Sequence, residues 1–148
     1  MAKTKEIQEK LVENMKQWQR VEDASVASTG RAIEKTSNPL IRMVMEIIQR
    51  DSLMHYRVQQ LIADSLERET IVLSTDELGD VWDIIESHIK IEKKTIELAE
   101  EALSQLKGKK MLVQEYLLNY LLTDEKKHDS LLAQLEEVKK GMTKASGA

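Results

Sequence analysis

The chain has 148 residues, 41 % of them hydrophobic, with 22 Lys plus Arg against 26 Asp plus Glu; this is the size of one domain, and a formal net charge of −4 with scattered signs gives no basic footprint for nucleic acid. There is no Cys, which excludes disulfides, thiolate nucleophiles, Cys-ligated zinc, iron–sulfur clusters and rubredoxin-type iron, so any metal has to rest on His and carboxylate. Five Gly and one Pro leave few turn formers among many Glu, Lys, Leu, Ala, Met and Ile, a composition that predicts an all-α fold and argues against strands.

The first predicted helix covers about residues 4–35. Asn38-Pro39 starts the second, because Asn is a good cap acceptor and Pro in the first helical turn loses no needed N–H. That helix runs to about residue 70. Ser74-Thr75-Asp76-Glu77 reads as a capping box and opens a third helix, about 75–107. Gly108 ends it, the fourth helix spans about 109–140, and 141–148 is expected to be a flexible tail. Four helices of this length with short connections predict an antiparallel four-helix bundle in a single domain over 1–148. Glu69 to Thr75, rich in β-branched residues and without Gly, leans towards a crossover between helices 2 and 3. The first residues lack the apolar core of a signal peptide and no run matches a membrane span, so a soluble cytoplasmic protein is expected, with neither nucleic acid nor membrane as partner.

At 100° per residue, helix 1 presents Leu11, Met15, Trp18, Glu22, Val26, Thr29 and Ile33 on one face, so a carboxylate sits inside an apolar stripe. Helix 2 presents Ile41, Met45, Ile48, Ser52, His55, Gln59 and Ile62. Helix 3 presents Val81, Ile85, His88, Glu92, Ile96, Ala99 and Leu103, and helix 4 presents Leu117, Leu121, Glu125, His128, Leu132 and Leu135. Buried carboxylates and imidazoles are costly unless paired or coordinated, and here they gather at mid-helix positions on all four helices. Capped core histidines are the competing explanation.

The chain also repeats itself. An offset of 73 lays Asp51, Ser52, His55 and Ile62 on Asp124, Glu125, His128 and Leu135; an offset of 70 lays Trp18, Glu22, Ser25 and Val26 on His88, Glu92, Thr95 and Ile96. Each half offers one Glu from its first helix and an Asp-x-x-x-His element from its second.

In these residues the chain resembles the ferritin-like di-iron carboxylate superfamily, near its rubrerythrin-like branch but without a rubredoxin domain; the family draws one Glu from each of two helices and Glu-x-x-His from each of the other two. The resemblance spans residues 15–135 and implies Fe or Mn in the bundle core, with Glu22 and His55 on one metal, Glu92 and His128 on the other, and Glu125 bridging. Asp51 and Asp124 resemble the outer acids that accept from the ligand imidazoles. Ser52 departs from the pattern, standing where the family has Glu, so Glu22, Glu92 and Glu125 offer −3 against +4 from two divalent ions. Either the first site is weak, leaving a mononuclear or empty centre, or a substitute enters: Asp51, a water on Ser52, or His88, which otherwise donates to Glu92. The implied activity is oxidation of Fe(II) or reduction of peroxide, with O2 or peroxide as oxidant, an external electron donor because Cys is lacking, and self-pairing into a homodimer. The alternative is a structural or interaction bundle with a degenerate, metal-free site.

Overall fold

A computed structural model describes residues 2–146 of the chain. The fold is all-α: four long helices, α1 (Ala2–Lys35), α2 (Pro39–Glu67), α3 (Thr75–Gln105) and α4 (Leu112–Ser146), with no strand among the described residues. The chain divides into two compact units, residues 1–72 and 73–148, each an antiparallel helix pair.

In the first unit, the turn between α1 and α2 is short because two side chains satisfy helix ends and a proline starts the second helix. Asn38 Oδ1 accepts from the Leu40 and Ile41 amides at 3.0 and 3.2 Å, and Pro39 supplies a preset φ. The Arg42 guanidinium donates to the carbonyls of Ile33 and Thr36 at 2.7 and 3.0 Å, holding the C-terminal end of α1 with a positive charge. The α1 seam facing α2 is Val12, Met15, Gln19, Glu22 and Thr29, met by Ser52, Gln59 and Ala63. Leu11 and Trp18, expected on that seam, are instead 39 % and 53 % exposed. The seam keeps a spacing of three and four residues and shares Met15, Glu22 and Thr29 with the expected stripe, but takes Val12 and Gln19 in place of Leu11 and Trp18, on the other side of Met15, as in a two-helix contact narrower than a broad bundle face. Val12, Met15, Ala63 and Leu66 form its apolar part, each larger side chain contributing about 1.5–3 kcal/mol on burial.

α2 stops at Glu67, three residues before the expected end. The Arg68 amide still donates to the Asp64 carbonyl at 2.8 Å, and Glu69 to Leu73 then run without helical structure, as their β-branched residues favour. The second unit opens with the expected capping box: Glu77 N–H donates to Ser74 Oγ and Ser74 N–H to the Glu77 carboxylate, both at 3.1 Å. α3 ends at Gln105 and not at 107, because the amides of Leu106 and Lys107 turn back to Leu103 and Ser104 in tighter three-residue bonds. Gly108 then takes a φ of +77°, the left-handed conformation that reverses the chain. α4 therefore starts at Leu112, and it continues through Gly141 to Ser146, where a flexible tail was expected; residues 147–148 lie outside the described residues.

Candidate metal centre

The second unit carries the fuller cluster. Glu92 sits mid-way along α3 and is 5 % exposed, while Glu125 and His128, three residues apart on α4, face it. One donor atom from each of the three residues lies within 4.8 Å of the others. His128 Nδ1 is 3.5 Å from Glu92 Oε1 and 3.8 Å from Glu125 Oε2. Two donor atoms bonded at about 2.1 Å to one ion stand roughly 3.0–3.4 Å apart in octahedral or tetrahedral geometry, so these separations need only a small contraction.

Four further contacts orient this set. Asp124 Oδ2 lies 3.3 Å from His128 Nε2, on the far side of the ring from Nδ1, which faces the two glutamates. Lys127 in turn pairs with Asp124 at 2.7 Å. The Thr95 hydroxyl is 2.8 Å from Glu125 Oε2, and His88 Nε2 is 2.8 Å from Glu92 Oε1. The second Glu92 oxygen, Oε2, is buried and has no hydrogen-bond partner. A buried carboxylate oxygen is among the costliest groups to leave unsatisfied. The Glu92 carboxyl is held below its ordinary range, first by its hydrogen bond with the Glu125 carboxyl, then by His88 and His128, with burial opposing them.

The first unit repeats the frame with less chemistry. Glu22 is 7 % exposed and His55 Nδ1 stands 3.6 Å from its Oε1. Ser52, also buried, shares a 2.8 Å hydrogen bond with Ser25. Asp51 makes no ion pair with His55 among the described residues, unlike Asp124 with His128. The His55 and His88 rings, expected on inward faces, lie at the rim with 59 % and 52 % of their side chains exposed; each reaches inward through one nitrogen to a buried Glu.

Of the residues singled out in the sequence, the structure thus joins Glu92, Glu125, His128, Asp124 and His88 in one unit, and Glu22, His55 and Ser52 in the other. Thr95, which holds Glu125, carried no assigned role in the sequence; its signal was the hydroxyl it shares with Ser25 at the offset of 70. Comparison with protein-family models, curated proteins and solved structures returns no match.

Proposed function

We propose that the chain is a ferritin-like helical metalloprotein that binds a divalent first-row ion, Fe(II) or Mn(II), through Glu92, Glu125 and His128, and oxidises Fe(II) or reduces peroxide. The observation that carries this reading is the set of three donors, one atom from each residue within 4.8 Å of the others, on a buried Glu92 whose other oxygen, Oε2, has no hydrogen-bond partner. Mixed carboxylate and imidazole donors with open positions suit Fe and Mn. A bound ion would supply an open coordination position and a one-electron couple.

The chain's own residues do the rest. Glu92 and Glu125 neutralise a divalent charge, Asp124 fixes the His128 tautomer, Thr95 steadies Glu125, and His88 holds one oxygen of Glu92. Without Cys, reducing electrons come from an external donor. No helix among the described residues is long and apolar enough to cross a membrane; a cytoplasmic location belongs to the same reading, and a homodimer rests on the resemblance alone.

Titration of the metal-free chain with Mn(II) in a calorimeter should show saturable binding that disappears in Glu125→Ala, and aerobic Fe(II) should give ferric absorbance faster with the wild-type chain than with that variant. A structural helical protein without metal is the second reading, favoured by the Ser25–Ser52 hydroxyl pair in the first unit. Absence of any binding heat and of any change in melting temperature with Mn(II) would establish it instead.

A further inference from the structure

The two helix pairs are near-copies whose frames agree while their chemistry differs. Each has a buried Glu on its first helix, Glu22 or Glu92, with a His Nδ1 at 3.6 or 3.5 Å. Each has a hydroxyl three residues beyond that Glu, and it meets the residue at the matching position of the second helix at 2.8 Å in both: Ser25 with Ser52, Thr95 with Glu125. Two positions differ in kind. Ser52 stands for Glu125 and Trp18 for His88.

We infer that the chain binds one divalent transition ion and not two, and that the α1–α2 pair is a metal-free copy of the α3–α4 site, its Ser25–Ser52 hydroxyl pair standing where a second carboxylate would coordinate. The inference rests on the metal-binding reading above. Three observations favour one ion. Glu92 and Glu125 together neutralise one divalent charge, whereas within the α1–α2 pair Glu22 is the only cluster carboxylate beside two neutral hydroxyls and would leave a cation half-compensated, and a hydroxyl is a poor ligand beside a carboxylate for Fe or Mn. Ser25 and Ser52 already satisfy each other, and no Glu22 oxygen is both buried and partnerless among the described residues, while Glu92 Oε2 is. Residues 1–72 hold as many Lys and Arg as Asp and Glu, so the whole net charge of −4 lies in residues 73–148, the unit with the fuller set.

The test is equilibrium dialysis of the full metal-free chain against Co(II), with metal per chain measured by mass spectrometry and the Co(II) visible spectrum recorded. The wild-type chain should hold one Co(II). Glu22→Gln and His55→Gln should keep that count, with the dissociation constant within about twofold and the spectrum unchanged, because neither residue belongs to the α3–α4 donor set. Glu125→Ser, which copies the first unit's chemistry into the second, should lose the ion, and Ser52→Glu should raise the count to two. Two ions in the wild type, one of them lost in His55→Gln, would overturn the single-ion inference and leave the metal reading intact. A wild type that binds none would remove the metal reading itself. If Ser52→Glu fails to fold by circular dichroism, the two glutamine variants decide, since a fall in count in either overturns the inference.

Discussion

Glu92 is the side chain whose surroundings demand the most. Its carboxyl lies below the ordinary 4.5 through the hydrogen bond with Glu125 and the nearby His88 and His128, against the opposing effect of burial. In the metal-free chain the ionised Glu92 therefore adds stability that is full above 4.5 and is lost as pH falls through its own lower value. Denaturant melts of metal-free wild type and Glu92→Gln should differ most at neutral pH and converge on acidification below 4.5; a gap independent of pH would contradict this. With metal, removing a ligand outright in Glu125→Ala should weaken Mn(II) binding by more than the roughly 10–100-fold loss expected when Asp124→Asn disturbs only the His128 tautomer. Calorimetric titration of the two variants gives the order, and an Asp124→Asn defect as large as that of Glu125→Ala would show Asp124 binding the ion itself. Glu22, Glu92, Glu125 and His128 were legible in the sequence because a charged group inside an apolar stripe needs a partner. Trp18 and Leu11 were not, because they and the true seam residues Gln19 and Val12 flank Met15 and Glu22 on opposite sides at 100° per residue, and a stripe alone does not tell which flank meets the partner helix. Thr95 stayed silent because a helical Thr more often bonds only its own backbone, as it also does here at 2.7 Å to the Glu92 carbonyl.

The elements were readable where side chains end them. Asn38-Pro39 and the Ser74–Glu77 box sit where the residue types place them, since each cap is a local hydrogen bond between neighbours in sequence. The other ends moved: α2 stops three residues early at Glu67, ahead of the β-branched Thr70 to Val72; the tight bonds of Leu106 and Lys107 and the left-handed Gly108 shorten α3 by two residues and delay α4 by three; and α4 runs six residues further, to Ser146. Asn38→Ala should remove the acceptor of two amides and cost about 1 kcal/mol. Gly108→Ala should also cost about 1 kcal/mol, since its φ of +77° is open to Gly but strained for Ala even though the added Cβ has free space. Urea melts of both variants measure these losses. A neutral Gly108→Ala would mean that the turn relaxes to another conformation.

At the scale of the whole chain, two compact units with unequal donor sets should answer a ligand unequally. A cation that binds only the native α3–α4 pair raises that unit's stability by mass action, about 2.7 kcal/mol at a hundredfold excess over the dissociation constant. For a unit of this size each kcal/mol is worth roughly 4–8 °C. Hydrogen exchange with and without Mn(II) should therefore show added protection concentrated in residues 75–146 and little in 2–67; equal protection in both would mean that the units open as one. The helical class and the four elements could be read in composition and caps, whereas the division into two units depends on which seams close against which, a property of pairs of helices that no single stripe encodes. The short turn at residues 36–38 has a consequence in time. It starts a pairing that widens away from the turn, from 27 residues apart at Ser25–Ser52 to 51 at Lys16–Glu67, and helical proteins rich in local contacts fold in microseconds to milliseconds. A ribosome needs several seconds to add the remaining residues at its usual pace. Both residues of the Ser25–Ser52 pair are thus on the nascent chain, with time to meet, before Glu125 has been made, so synthesis delivers the unit with the hydroxyl pair ahead of the unit with the three-donor set.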